Sequence, residues 1–410
     1  MSGILFLAHR VPFPPDRGDK IRSHHILKAL AELGPVHVGC FAETAADRAA
    51  ERDLAAIATT WCMPTRSKPL PLAGVEALVR GQPVSLTAFR HPVLAEWVGS
   101  VLDRYDIGAI YVFSGQMGQY VPADWAGRLV LDLVDVDSAK FEAYAREKPA
   151  PMGWIDAREA RLLRQEEQRL AVRADRTLLV SNAEAALFVS RLEARNTARV
   201  AVLGNGIDAA LFDPVQVSPH AALGEPGPHF VFTGQMDYKP NVAAALRAIE
   251  RIMPAIRSVH PAAQFHAVGR APAAELVARD GTNGARVWGE VADVRPFLAA
   301  ADVAMAPLAI ARGVQNKVLE AMAMARPVLV SAAAATGLPG HDGQHFTVAN
   351  SDQEFAVRAL DLLARPLEAQ AMGRAARRLV VETASWPAVL ADLPHIVAVP
   401  EPTVARADAA

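Results

Sequence analysis

The sequence predicts an α/β protein made of two Rossmann-like, doubly wound domains facing each other across a cleft. Three observations predict it. Short β-type runs alternate with helical runs through most of the chain, which signals βαβ units and mostly parallel sheets. The series starts twice, once at Ile4 and again at His229. At 410 residues the chain exceeds one ordinary core and suits two.

In the first series Ile4–Ala8 reads as a strand, Asp19–Leu33 as a helix and Val36–Phe41 as a second strand. A helical run Pro92–Tyr105 and the strands Ala109–Phe113 and Leu129–Val134 follow. The helix from Ile155 to Arg173 interleaves arginines with glutamates, so a solvated face is the expected reading, ahead of a membrane-docking arginine face. Thr177–Val180 is a strand, and Ser181 or Asn182 stands where the next helix needs an N-cap. After Arg199–Leu203, the segment Asp213–Pro228 is rich in proline and glycine and is the expected interdomain linker. The second series runs His229–Thr233, a helix Val242–Val259, Gln264–Val268, a helix from Ala273, and Arg286–Trp288. It continues through a short helix Val294–Ala300, Asp302–Met305, the helix Val314–Ala325 and the strand Pro327–Val330. Helices near Ser351–Leu363 and Leu367–Thr383 complete the series. The expected boundaries are 1–208 for the first domain, 209–383 for the second, and 384–410 for a C-terminal segment with a frayed tail.

Composition narrows the function. Hydrophobic residues are 51% and charged residues 21%, enough to bury two cores. With 42 basic against 44 acidic side chains, there is no basic excess to displace the counterions of a nucleic acid. Cys40 and Cys62 form no CxxC pair and imply no disulfide framework. The opening Met1–Ala8 has no basic region before its apolar run and reads as a strand and its loop, not a signal peptide. The apolar stretch Val318–Leu338 carries Glu320, Arg326 and Pro327 and is no membrane span. The expected location is cytoplasmic.

Four segments hold candidate chemistry. In Phe232-Thr233-Gly234-Gln235-Met236-Asp237-Tyr238-Lys239-Pro240-Asn241 a strand ends in glycine and a proline opens the next helix. Ligands of open α/β sheets bind beyond the carboxyl ends of the strands, where a glycine lets a phosphate reach the backbone and Lys239 adds a point charge. An ordinary turn with a solvated lysine fits this segment equally well. In Arg312-Gly313-Val314-Gln315-Asn316-Lys317-Val318-Leu319-Glu320 a glycine precedes a helix N-terminus, whose unpaired amides and dipole favour an anion. Lys317 and Glu320 share one face; the carboxylate suits a pair of ribose hydroxyls, and the alternative is a surface ion pair. Pro12–Lys20 brings Gly18 to a third strand-to-helix loop, without a GxGxxG fingerprint. Asp135-Val136-Asp137 reads as D-x-D, and a helix cap at Asp137 or Ser138, or a role on an acceptor side with Lys140, is preferred over a metal. No catalytic triad, zinc spacing or Walker A loop is present, and the histidines are scattered.

Taken in order, the motifs resemble the retaining family 4 (group 1) glycosyltransferases of the GT-B type. Val202–Asp208 with Phe212-Asp213-Pro214 is similar to the family's domain junction, and Gly234 with Lys239-Pro240-Asn241 to its first C-domain loop. Gly269 and Gly289 resemble later strand-end glycines, and Leu319–Ala323 followed by Arg326-Pro327-Val328 resembles an "EAMA.G.PV" helix and strand. MDYKPN, RGVQNKVLEAMA and VDVDSAKF resemble, more narrowly, sugar transferases that accompany exosortase/PEP-CTERM exopolysaccharide systems.

The resemblance implies a GT-B fold, a nucleotide-sugar donor as co-substrate, and no metal or other cofactor. It implies a glycan or polyprenyl-linked saccharide acceptor, with peripheral contact at the inner membrane. Glu320 would bind the donor ribose. Lys239, the backbone around Gly313, Val314, Gln315 and Asn316, and Lys317 would hold the diphosphate, among Gly234, Gln235, Asn241 and Gly269. Backbone near Gly289 and Val291 would meet the base, and the Gly18 loop would close over the donor. Two positions depart from the family pattern. A glutamate common eight residues before the ribose-binding one is replaced by Arg312, which would instead supply phosphate charge. An arginine common after the first loop glycine is replaced by Gln235. The lost glutamate keeps two alternatives open, a sugar-nucleotide epimerase of the same fold and a non-catalytic donor-binding subunit.

Overall fold

The computed structural model describes residues 2–192, 199–224, 226–311 and 314–398. The chain forms two compact units: residues up to 205, rejoined by the chain from 390 onward, and Gly206–Val389.

The first unit is built on seven parallel strands: β1 Gly3–Ala8, β2 Val36–Gly39, β3 Thr60–Cys62, β4 Ile107–Phe113, β5 Arg128–Val134, β6 Arg176–Leu179 and β7 Val200–Val202. Their order is β3-β2-β1-β4-β5-β6-β7. All six residues of β1 are buried, as a central parallel strand covered on both faces requires, whereas edge strand β3 is not. The second unit has six parallel strands: β8 His229–Thr233, β9 Gln264–Val268, β10 Ala285–Gly289, β11 Val303–Ala306, β12 Val328–Ser331 and β13 Thr347–Ala349, ordered β10-β9-β8-β11-β12-β13. In each unit the chain winds one way from its first strand, then returns to that strand's other side. The carboxyl ends of β1 and β4, and of β8 and β11, therefore flank the switch points where loops diverge and open a crevice.

Helix boundaries follow local chemistry. Ser181 caps Asn182–Val189 by accepting from the Glu184 amide at 3.2 Å. The helix Met152–Arg173 departs from its expected solvated face, because Asp156, Glu159 and Glu167 are buried. Asp156 meets Lys148 Nζ at 2.8 Å, but helix starts leave amides unpaired, and Glu159 and Glu167 pair them from a distance. Glu159 accepts from the amides of Val84 and Ser85 at 2.7 and 2.9 Å, at a helix start whose N-cap is Pro83. Glu167 does the same for Ser138 at 2.9 Å and Glu184 for Val136 at 2.9 Å. That corrects the expected capping by Asp137 or Ser138, since the helix Asp137–Glu147 has no side-chain cap of its own.

The proline- and glycine-rich segment expected as a linker belongs to the second unit. Leu223 is buried in that unit's core, Phe212 and Val217 pack against it, and the His220 ring stacks on Phe297 at 4.1 Å. Its apolar anchors outweigh its turn residues. The stretch after residue 383 is divided: Trp386 donates to the Ile207 carbonyl at 3.1 Å in the second unit. The helix Leu393–Val397 instead packs into the first unit, where Arg128 Nε donates to the Ile396 carbonyl at 2.9 Å. No described helix is long and apolar enough to cross a membrane.

Candidate functional site

Three neighbouring strands of the second unit end in glycine, and the backbone requires it at two of them. Gly234, Gly269 and Gly289 follow or close β8, β9 and β10 with φ of 155°, 154° and 68°. Gly234 N–H donates to the Val268 carbonyl at 3.0 Å, and Gly269 N–H to the Gly289 carbonyl at 2.9 Å. A Cβ on Gly269 would stand 1.6 Å from the Gly234 carbonyl oxygen, and one on Gly234 would stand 2.9 Å from Asn241 Nδ2. The sheet edge thus presents bare backbone at the switch point.

Two helices start there. Lys239–Arg247 opens with the exposed Lys239 and with Pro240, and its N-cap Tyr238 offers no side-chain bond. Asn316–Ala323 has Gln315 as its N-cap, whose side chain does not cap the helix amides, so its first amides remain available for an anion. Asn241 ties these parts together: its Nδ2 donates to the Gln235 carbonyl at 2.8 Å, and its Oδ1 accepts from Lys317 Nζ at 2.5 Å. The ammonium of Lys317 lies 5.0 Å from the centre of the Phe232 ring. Burial pushes Lys317 down to about 8, with Glu320 opposing. Burial pushes Glu320 up to about 7, against the pull of Lys317. Among the described residues no donor reaches the Glu320 carboxylate.

Gly234, Gln235, Asn241 and Lys317 are therefore brought into contact or near-contact, with Gly269 and Gly289 on the adjoining strand ends. Val291 packs against the second unit's core. Val314 and Asn316 are exposed at the helix start, while Arg312 and Gly313 lie outside the described residues. Arg270 was missed from sequence. It follows strand-end Gly269 and donates through Nη2 to Gln235 Oε1 at 3.1 Å, placing a guanidinium beside the position where the family pattern has an arginine. The signal was present in its place directly after a strand-end glycine.

Gly18, Asp137 and Lys140 belong to the first unit. Gly18 begins the helix Gly18–Leu33, and a Cβ there would meet nothing within 4 Å, so the fold itself does not demand glycine. Asp137 accepts from Gln116 Nε2 at 3.4 Å and faces Lys140 Nζ at 3.8 Å. Burial raises its carboxyl, and Asp135 adds to that rise, while Lys140 and His9 oppose it. His9, at the carboxyl end of β1, was also missed. It stacks on Phe113 at 5.8 Å and meets Asp19 at 3.3 Å, and Arg10 donates to the same carboxylate at 2.8 Å. Burial would raise Asp19, but the bonds from His9 and Arg10 hold it well below the usual carboxylate range. Ser114 and Val134, ending β4 and β5, have φ of 77° and 68°, costly values for residues with side chains.

The architecture has counterparts of known structure. Anabaena HepE, in complex with UDP and glucose, superposes with a TM-score of 0.61 at 16% identity, over 96% of this chain and 99% of that one. Sucrose-phosphate synthase from Thermosynechococcus elongatus gives 0.59 at 17%, over 97% and 98%. WaaG, a glycosyltransferase involved in lipopolysaccharide biosynthesis, gives 0.58 at 17%, over 96% and 99%. The chain has the GT-B fold. Residues 227–365 match the family model for glycosyl transferases group 1. That span contains Gly234, Asn241, Gly269, Gly289, Lys317 and Glu320. No curated protein matches the chain in sequence.

Proposed function

We propose that this chain is a glycosyltransferase that moves a sugar from a nucleotide-sugar donor to a glycan or polyprenyl-linked acceptor. It acts with retention and without a metal, in the synthesis of a bacterial exopolysaccharide. It works in the cytoplasm, peripherally at the inner membrane. The observation that carries the reading is the Glu320 carboxylate, without a donor among the described residues, one turn from Lys317 and beside a glycine-lined sheet edge. A carboxylate in that position accepts hydrogen bonds from the two ribose hydroxyls. The diphosphate then lies on the bare backbone, the open helix starts and Lys317, with Lys239, Arg270 and Arg312 adding charge.

Transfer requires that charge developing on the departing diphosphate be stabilised. Fixed amides and cations do this without reorganising. In a front-face displacement the bond from the anomeric carbon to the diphosphate breaks, and the acceptor oxygen bonds to that carbon on the same face. The acceptor's proton passes to the departing phosphate oxygen, so the protein supplies no side-chain base. Asp137 and His9 would orient the acceptor's hydroxyls.

Isothermal titration with UDP and with GDP, each with and without EDTA, tests the donor side. The reading expects one nucleotide to bind at micromolar affinity, insensitive to EDTA, and Glu320→Ala to lose it. Absence of binding by both nucleotides would overturn the donor-site assignment at Glu320. UDP is the first to try, since it is the nucleotide held by the HepE structure.

A further inference from the structure

The helix Leu70–Arg80 of the first unit is packed inside out. The residues it buries are its small ones, Ala73 and Ala77, while Leu70, Leu72, Val75, Leu78 and Val79 are exposed, Val79 at 84%. A surface helix of a water-soluble unit does the reverse. The exposed face continues beyond this helix. Arg158 donates to the Ala77 carbonyl at 2.9 Å, and one turn earlier on the same face of its helix stand Trp154 and Ile155, exposed at 75% and 48%. Trp at such a margin suits the boundary between headgroups and acyl chains.

Beside the helix lies a cavity of about 730 Å³. Its charged lining is mostly cationic: Lys68, Arg80 and Arg90 against the carboxylate of Glu76, with Arg66 held by Glu43 at 2.6 Å. Glu76 is shared by Lys68 at 2.8 Å, Arg80 at 3.0 Å and Arg90 at 3.9 Å, so three cations lean on one anion. Arg90 Nε and His91 Nδ1 are buried in its wall with no hydrogen-bond partner among the described residues. Apolar walls from Phe41, Leu72 and Tyr120 complete a chamber suited to an anion carrying a hydrocarbon chain.

We propose that this face docks on an anionic lipid bilayer. The apolar side chains of Leu70–Arg80, with Trp154, enter the acyl boundary, and a lipid phosphate enters the cavity to meet Arg80, Arg90 and Lys68. Charge separates this occupant from a second copy of the chain. An isologous contact would set one cationic rim against another, whereas a bilayer of anionic headgroups complements it. The inference locates the membrane side of the function proposed above and rests on that reading for its purpose, but its test needs neither donor nor turnover.

The test is sedimentation of the full chain with vesicles of phosphatidylglycerol and of phosphatidylcholine, with UDP titration run in parallel. Binding to phosphatidylglycerol alone is expected, lost when Leu72→Ser, Val75→Ser and Val79→Ser are combined. Arg80→Glu, which removes one attraction and adds one repulsion, should weaken it about tenfold or more. None of these variants should change UDP affinity or the circular dichroism melt. Failure to bind either vesicle would overturn the inference, as would binding that survives the triple variant and is displaced by inorganic phosphate alone. A dimer that disperses in the triple variant would assign the face to a second copy instead. Loss of UDP binding with vesicle binding intact would count against the donor reading and leave this one standing.

Discussion

The carboxyl edges of the two sheets occupy the same topological position and are furnished in opposite ways. The second unit's edge is bare: Gly234 and Gly269 close strands with backbone in van der Waals reach of the next, and one carboxylate, Glu320, has no donor among the described residues. The first unit's edge is crowded. His9, Arg10, Asp19 and Glu43 already bond one another, and Ser114 and Val134 are held at positive φ. A bare edge recognises through main-chain amides and suits a large polyanion; a crowded edge of pre-oriented side chains suits the hydroxyls of a sugar. The comparison therefore predicts that variants at one edge will change donor affinity and that variants at the other will change acceptor use.

The largest effect should come from Gly269→Ala. Its methyl group cannot coexist with the Gly234 carbonyl at 1.6 Å, so β8 and β9 must separate at their ends. Urea denaturation should show a loss of about 3 kcal/mol, with nucleotide binding abolished. Wild-type stability in that variant would mean that the edge is pliable and that the glycine is incidental. At the crowded edge, His9→Ala should lower acceptor-dependent turnover about a hundredfold while leaving the UDP dissociation constant unchanged. A parallel loss of UDP affinity would collapse the division between the edges.

A smaller effect separates the edges by pH. Glu320, raised to about 7, becomes a better acceptor as pH rises through that value, and Lys317, lowered to about 8, loses its charge above that one. UDP affinity should therefore peak between them and fall on both sides. A flat profile from pH 6 to 9 would remove both groups from the site. The smallest effect belongs to Glu167→Gln, which weakens two bonds to Ser138 by about 1 kcal/mol. The folded carboxyl of Glu167 sits at about 7, above its ordinary 4.5, so the native state holds the proton more tightly than the unfolded chain. Its contribution to stability is fully present below pH 4.5 and declines as pH rises toward 7, and the glutamine variant should lack that decline.

Much of this was legible in the sequence, for reasons that divide cleanly. Buried parallel strands such as β1 and β8 are continuous apolar runs, and glycines directly after them stand out. Ser181 announces its helix because cap and amide are three residues apart. What escaped depends on partners far away in the chain. Glu159 reads as one charge among many on a polar helix, yet it closes a helix start 74 residues earlier. Thr60–Cys62 and Thr347–Ala349 are three-residue edge strands, too short to show alternation. The segment after Asp213 resembles a linker by its prolines, and only the pocket around Phe297 and Trp288 shows why His220 anchors it. His9 was hidden because its partner Phe113 comes from β4, which pairs with β1 in the sheet but lies far from it in the sequence.

The central claim is that Glu320 receives the ribose hydroxyls of a nucleotide, and a two-by-two titration tests it most directly. UDP and 2′,3′-dideoxy-UDP would each be titrated into the wild-type chain and into Glu320→Gln at pH 7.5. The account predicts that the substitution weakens UDP about tenfold or more and leaves the dideoxy nucleotide unaffected. Equal losses for both nucleotides, or none for either, would contradict it.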